Sequence, residues 1–152
     1  MPISSRSSES RGRGWVVAQF ALMALIAAAW FLPPRWPEGA DRSLDVLGVC
    51  LALAGAALAG WAVRALGESL TTLPAPRAGA ALVQSGPYRW VRHPIYCGGI
   101  LFFGGLSLVF SVPALLLTGA LALLWQRKAS LEERLLVERY PNYASYRRRT
   151  FL

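Results

Sequence analysis

Residues Ile95–Trp125 read IYCGGILFFGGLSLVFSVPALLLTGALALLW, a run without a single charged side chain. As one α-helix this run would be about 47 Å long, well beyond the roughly 30 Å hydrocarbon core of a membrane. Ser111, Val112 and Pro113 interrupt it near the middle, and proline lacks the backbone N–H that a continuing helix needs. The run therefore predicts a hairpin of two short, tilted helices.

Two further apolar runs precede the hairpin. Trp15–Leu32 has Trp residues near both ends, where indole rings prefer the membrane interface, and Pro33-Pro34 stops it. This run also fits a cleaved signal peptide, because basic residues precede it and Ala27–Ala29 resembles a cleavage site. Val46–Val63 carries small residues at every fourth position, which would let another helix approach closely: Gly48, Ala52, Ala56 and Gly60. We expect an all-α integral membrane bundle of about four helices, two packing helices followed by the hairpin.

Charge is distributed unevenly among the segments that flank these runs. The N-terminus, the loop of residues 64–92 and the tail from Arg127 onwards are basic, whereas Arg35 and Arg42 in the first loop are balanced by acidic residues. Basic segments stay on the cytoplasmic side of a membrane. Four spans place all three basic segments and both termini in the cytoplasm, whereas three spans would leave the tail outside. The shortness of the chain and its Ala- and Arg-rich composition indicate a bacterial source, so we expect the membrane to be a bacterial plasma membrane.

Composition narrows the classes of function. The chain has 152 residues, of which 55% are hydrophobic, which suits one domain in contact with lipid. Its net charge of +8 is spread along the membrane flanks, so we expect contact with membrane lipids and not with nucleic acid. One His and two separated Cys residues provide no metal-ligand cluster or disulfide framework, and Cys50 and Cys97 are expected to be reduced and buried. We divide the chain into a disordered basic segment, residues 1–14, and a single membrane domain, residues 15–152.

The segment just before the hairpin concentrates aromatic, cationic, Gly and Pro residues. Its sequence GPYRWVRHPIYCGG, beginning at Gly86, resembles the G-x-Y-x-x-x-R-H-P-x-Y-x-G signature of the isoprenylcysteine carboxyl methyltransferase and phospholipid methyltransferase superfamily. Downstream, Glu132 and Glu133 in KASLEERLLVERYPNYASYRRR resemble the paired glutamates of these small membrane-embedded enzymes. The resemblance covers residues 67–152, and it implies S-adenosylmethionine as the methyl donor and a lipophilic acceptor that arrives from the lipid.

The resemblance also implies which residues form the site, at the cytoplasmic face between the loop and the tail. The cofactor-binding positions of the superfamily fall on Leu82, Val83, Tyr88, His93, Pro94, Ile95 and Tyr96, and on one or both of Glu132 and Glu133. The cation that helps to hold the acceptor falls on Lys128 or Arg127. His93, Arg127 and Lys128 are therefore the candidate catalytic residues.

The chemistry of methyl transfer suits these residue types. The reaction is an in-line displacement, so a protein accelerates it mainly by desolvating and aligning two reactants. A carboxylate acceptor, as in an isoprenylcysteine, is already ionised at neutral pH, and a thiol acceptor is also compatible with the resemblance. An amine, as in a phospholipid headgroup, must first lose a proton, for which His93 is the candidate base. A non-catalytic protein that binds anionic lipid and a membrane reductase remain the other two hypotheses.

Several of these residues also have purely structural interpretations. Arg92 and its neighbours can anchor a helix at the lipid headgroups. Ser130 and Glu133 fit a capping box, in which Glu133 would accept a hydrogen bond from the Ser130 backbone N–H at the start of a separate tail helix. Apolar residues from Leu131 to Tyr140 fall on one side of that helix, which we expect to be amphipathic and to lie along the membrane or cap the site. The oligomeric state is left open.

Overall fold

The computed structural model describes residues 5–33, 36, 41–75 and 79–151, and the regular elements within those ranges are all helices. They are α1 (Ser5–Ala29), α2 (Asp41–Leu66), α3 (Pro94–Phe110), α4 (Val112–Arg139) and α5 (Tyr143–Arg148), with 3-10 turns at Gly67–Ser69 and Gly86–Arg89. One isolated bridge joins Val91 to Phe151. The predicted all-α architecture is confirmed for this part of the chain.

The hairpin is interrupted where the sequence predicts. Ser111 is extended, with φ −165° and ψ 132°, and it separates α3 from α4. Its backbone N–H still bonds to the Ser107 carbonyl, and its carbonyl accepts from Leu115 N, so the break leaves both helix ends paired. Proline is tolerated at the second position of α4 because the first N–H groups of a helix have no partner within it.

Helix α2 packs closely along α3 through small residues, but the predicted register of those residues is wrong in its second half. Gly48, Ala52 and Gly55 are buried against α3, whereas Ala56 is exposed and a Cβ atom placed on Gly60 would have no described neighbour within 4 Å. A spacing of four residues drifts around a helix of 3.6 residues per turn. The contact face therefore follows spacings of four and three in turn, which keep residues on one side.

The core of the bundle lies where α1 and α4 meet α3. Ile26 and Ala29 from α1 pack with Ala114, Leu121 and Trp125 from α4, and all five are at most 5% exposed. Helix α1 therefore supplies part of this core, and the choice between a packed helix and a cleaved leader stays a prediction. Cys50 is exposed on α2, so its predicted burial is wrong.

Helices α1 and α4 extend further than the sequence predicts. Helix α1 begins at Ser5, so helix occupies part of the segment that was expected to be disordered. Helix α4 continues through Ser130 to Arg139, because residues 126–139 are strong helix formers without Gly or Pro. Ser130 lies inside that helix and its hydroxyl donates to the Gln126 carbonyl, so the predicted capping box and separate tail helix are wrong.

Two of the helices are long and apolar enough to cross a membrane. These windows are Gly12–Ala29 and Arg42–Ser69, and Pro94–Phe110 is a shorter apolar helix. Many large apolar side chains on the outside of the bundle are exposed, among them Val17, Leu53 and Leu116. The C-terminal end of α4 lies beside the start of α3, and Lys128 on α4 also contacts the loop at Thr72. The loop, the start of α3 and the later turns of α4 thus meet at one end of the bundle.

Candidate active site

A cavity of about 390 Å³ opens at the end of the bundle where the loop, α4 and α5 meet. Its walls include residues from α1, α2 and the loop as well as from the hairpin. Eight of the residues implied by the superfamily resemblance line it: Leu82, Val83, Tyr88, His93, Ile95, Tyr96, Lys128 and Glu132. Residues 82–96 and residues 128–132, which are far apart in the sequence, thus share one pocket.

Glu132 faces this cavity from α4. The Tyr96 hydroxyl donates a hydrogen bond of 2.6 Å to Glu132 Oε1. Burial raises the pKa of Glu132 to about 7, and it outweighs the Tyr96 hydrogen bond and the charge of Lys128, which both lower it. A cation in the cavity would therefore favour the ionised form of the Glu132 carboxyl at neutral pH.

Glu133 has a different role, although it is the next residue. It does not line the cavity, and its Oε1 accepts a 2.6 Å hydrogen bond from Arg92 Nε. Burial opposes ionisation, but the hydrogen bond and charge of Arg92 prevail and lower the pKa of Glu133. Arg147 Nε lies 3.5 Å from Glu133 Oε2. The predicted pair therefore separates into Glu132, which faces the cavity, and Glu133, which is ionised at neutral pH and joins the loop to the tail.

His93 lies between the two glutamates, immediately before α3. Its Nε2 is 3.3 Å from Glu133 Oε1, and its Nδ1 is 3.6 Å from Glu132 Oε2. Burial lowers the pKa of His93, more strongly than the charge of Glu133 raises it, so the ring is neutral at pH 7. Since Glu133 is ionised, Nε2 is assigned as the protonated nitrogen that donates to it, and Nδ1 keeps its lone pair. Pro94 is buried at the first position of α3 and does not line the cavity.

The structure distinguishes the two candidate cations on α4. Lys128 is 1% exposed and lines the cavity, whereas Arg127 is exposed and does not. The Lys128 ammonium donates to Gln19 Oε1 at 2.8 Å and to the Thr72 carbonyl at 2.9 Å, and it lies 5.5 Å from the centre of the Tyr96 ring. Arg127 therefore does not reach this cavity, because residues 127 and 128 project about 100° apart on a helix, and the roles of both residues stay predictions.

Hydrogen bonds to backbone carbonyl groups hold the C-terminal tail against the loop. The Arg92 backbone N–H bonds to the Phe151 carbonyl at 3.0 Å, and the Phe151 N–H bonds to the Trp90 carbonyl at 2.8 Å. The Arg92 side chain donates to the Thr150 carbonyl at 2.8 Å, and the Tyr146 hydroxyl donates to the Tyr88 carbonyl at the same distance. These contacts hold α5 over the cavity, which Tyr146 helps to line.

Comparison with known proteins assigns the family. The family model described as phospholipid methyltransferase matches residues 44–143 of the chain. The chain belongs to this family. The match contains the RHP segment, both glutamates and Lys128, so the cavity is built largely from the part of the chain that defines the family.

Two curated relatives carry names that concern metal resistance. The cobalt-zinc-cadmium resistance protein CzcN of Cupriavidus metallidurans is 33% identical over 89% of this chain, and the nickel-cobalt-cadmium resistance protein NccN of Alcaligenes xylosoxydans xylosoxydans is 29% identical over 98% of it. The chain spans 58% and 66% of the lengths of these relatives. Among the residues that the structure describes, no group of three or more His, Cys, Asp or Glu side chains is arranged to hold a metal ion. The absence of a metal site stays a prediction.

The sequence patterns did not identify several residues that line the cavity. Gln19 comes from α1, and Thr72 contributes through its backbone, so neither carries a motif. Tyr143 and Tyr146 line the cavity from α5 and are at most 4% exposed. The cluster of Tyr residues in the tail was a usable signal, since tyrosines three residues apart share one face of a helix.

Proposed function

We propose that this protein transfers a methyl group from S-adenosylmethionine to a lipophilic acceptor at the cytoplasmic face of a bacterial plasma membrane. The observation that carries the proposal is the convergence of His93, Tyr96, Lys128 and Glu132 on one cavity at the end of an apolar bundle. Membership of the phospholipid methyltransferase family supports methyl transfer as the reaction.

The residues of the cavity fit the chemical groups of this cofactor. A volume of about 390 Å³ lies within the roughly 300–1,000 Å³ usual for small-molecule sites. Leu82, Val83 and Tyr88 offer an apolar and aromatic wall for the adenine, and Glu132 offers acceptors for an ammonium or for ribose hydroxyls. Arg92, which also lines the cavity, offers donors for a carboxylate. When bound, the cofactor supplies an electrophilic methyl group on a sulfonium.

The charge of Lys128 supports an acceptor with an anionic oxygen or sulfur. A buried ammonium attracts a carboxylate or thiolate and repels a protonated amine, and at short range in a cavity of low polarity this difference is large. The acceptor class that fits is a carboxylate or thiol on a small lipophilic body, such as an isoprenylcysteine. Lys128 would orient this group while the apolar residues exclude water.

Methylation of a phospholipid amine is the second candidate. The neutral ring of His93, whose Nδ1 keeps a lone pair, supports it, because an amine must give up a proton before it can attack. The family description favours this acceptor as well. The Lys128 charge is the observation against it.

The helices and their flanking charges support the proposed location. The two candidate spanning helices, the shorter apolar helix α3 and the apolar first part of α4 are consistent with four spans and cytoplasmic termini. Exposed apolar side chains around the bundle would contact membrane lipids.

Cofactor binding by the purified protein in detergent tests the proposal. We expect saturable binding of S-adenosylmethionine, measured by calorimetry, that weakens about 10- to 100-fold in Glu132→Gln, since a hydrogen bond to a charged group contributes roughly 1.5–3 kcal/mol. His93→Ala should weaken binding as well. Glu138→Gln is the matched control, because Glu138 is exposed on the same helix. Wild-type protein without saturable binding would refute the proposal, and binding of a nicotinamide cofactor instead would favour a reductase.

A further inference from the structure

Lys128 differs chemically from the other basic side chains of this protein. It is the only lysine among the 16 lysine and arginine residues, and it is 1% exposed. A guanidinium stays protonated in almost any surroundings, whereas a buried ammonium loses its proton readily. Burial does lower the pKa of Lys128, and the charge of Glu132 only partly opposes this effect. Lys128 therefore needs further partners if it is to remain a cation at the cavity wall.

Gln19 is the partner that comes from outside the sequence motifs. Its Oε1 accepts a 2.8 Å hydrogen bond from the Lys128 ammonium and a 3.4 Å hydrogen bond from Trp125 Nε1. Both neighbours can only donate, so the amide of Gln19 must present its oxygen to them, and the orientation of the side chain is fixed. Gln19 is 7% exposed in an otherwise apolar stretch of α1, where an amide is costly to bury unless it has such partners.

We infer, on the basis of the proposed function, that Gln19 is a positioning residue, whose amide oxygen holds the Lys128 ammonium at the cavity wall where an anionic acceptor meets it. The Thr72 carbonyl in the loop is a second acceptor for this ammonium, at 2.9 Å from Lys128 Nζ. A lysine ammonium has three N–H donors, and Gln19 and Thr72 together use two of them. The third is the one that would serve the acceptor.

This inference extends the site beyond the matched part of the chain. Residue 19 lies outside the family match at residues 44–143, so the first helix supplies a component that the motifs do not contain. Other groups in the cavity also act on the charge of Lys128. The titratable and charged residues that share the cavity walls are Tyr88, Arg92, His93, Tyr96, Glu132, Tyr140, Tyr143 and Tyr146.

The single lysine provides a direct test that needs no activity. Acylation of Lys128 by an amine-reactive ester, quantified by mass spectrometry of its peptide across a pH series, reports the apparent pKa of this one side chain. Gln19→Leu removes an acceptor that stabilises the charged form, so the apparent pKa of Lys128 should fall by about one or more. Gln126→Leu makes the same change at an exposed position and should leave the profile unchanged. Coincident profiles for Gln19→Leu and Gln126→Leu would overturn the inference.

A second variant keeps the test valid if Gln19→Leu does not fold. Gln19→Glu retains the accepting oxygens and adds a negative charge, so the apparent pKa of Lys128 should rise. A profile that stays at the wild-type position in Gln19→Glu would also overturn the inference. A residue that only filled space would not lower the apparent pKa of Lys128 on replacement by leucine.

Kinetics separate this inference from the proposed function. With N-acetyl-S-farnesylcysteine as the acceptor probe, Gln19→Leu should raise the acceptor KM about 10- to 100-fold while the Kd for S-adenosylmethionine stays within about twofold. A change confined to the cofactor Kd would contradict the assignment. If wild-type protein neither binds the cofactor nor methylates the probe, the proposed function fails, and the labelling profiles still decide whether Gln19 controls Lys128.

Discussion

Replacement of Gly55 by alanine tests the close crossing of α2 and α3. A Cβ atom at residue 55 would lie 2.5 Å from the Gly98 carbonyl oxygen and 2.5 Å from the Phe102 nitrogen. Both obstacles are backbone atoms, so a side chain cannot rotate away, and the helices must move apart by roughly 1 Å. A gap of that size forfeits about a quarter to a half of the dispersion energy between facing atoms. Overpacking of this kind costs typically about 1–3 kcal/mol.

The matched variant is Gly60→Ala on the same helix. No described atom lies within 4 Å of a Cβ placed at residue 60, so this variant gains only the helix propensity of alanine, up to about 1 kcal/mol. Gly55→Ala should be destabilised by up to about 2 kcal/mol after the same gain. The two variants should differ in stability by about 1–3 kcal/mol, which corresponds to a difference in Tm of roughly 2–12 °C. Thermal unfolding in detergent, followed by circular dichroism, measures this difference. Equal Tm shifts in the two variants would refute the packing argument.

Two further predictions concern the charges around the cavity. Burial raises the pKa of Glu132 from 4.5 to about 7. Between pH 4.5 and pH 7 the folded protein therefore keeps a proton on Glu132 that the unfolded chain has released. The free energy of unfolding should thus fall by up to about 3 kcal/mol as the pH rises through this range. Glu132→Gln should remove this slope in unfolding experiments across pH, and an unchanged slope would contradict it. Arg92→Ala should cost about 1–3 kcal/mol and speed tryptic cleavage of the tail, because it leaves Glu133 without its closest partner and frees the Thr150 carbonyl. Arg147→Ala, at a 58% exposed side chain, should cost less than about 1 kcal/mol, and similar cleavage rates in the two variants would exclude Arg92 as the anchor.

The hairpin and most of the cavity were predictable from the sequence because local patterns determine them. Pro113 breaks a charge-free run that is too long for one span, and the break lies at Ser111 as expected. Eight of the residues implied by the resemblance also share one cavity, with Tyr96 bonded to Glu132, whereas Pro94, Arg127 and Glu133 lie outside it. Whether these residues bind the cofactor stays a prediction.

The errors arose where two local patterns competed or where a contact depends on tertiary packing. The Ser130 capping box is a valid helix start, but uninterrupted helix formers on both sides of it favour one continuous α4. The spacing of small residues at every fourth position of α2 identified Gly48 as a contact with α3. It did not identify Gly55, which also lies close against α3. Gln19 could not be identified, because a single amide in an apolar run has no pattern until Lys128 is placed beside it.

Three stacked aromatic rings limit how a small molecule can lie in the cavity. The rings of His93 and Tyr96 are 5.7 Å apart, and the rings of Tyr96 and Trp125 are 5.3 Å apart, with Trp125 set in the core. Tyr96 packs against the buried core that contains Ile26, Leu121 and Trp125, and this core would obstruct a long hydrocarbon chain. If the proposed acceptor places its reactive end beside Lys128, its tail would leave sideways, between the helices and into the surrounding lipid. Acceptors should then be selected by the head that enters the pocket, and the length of the tail outside should matter little.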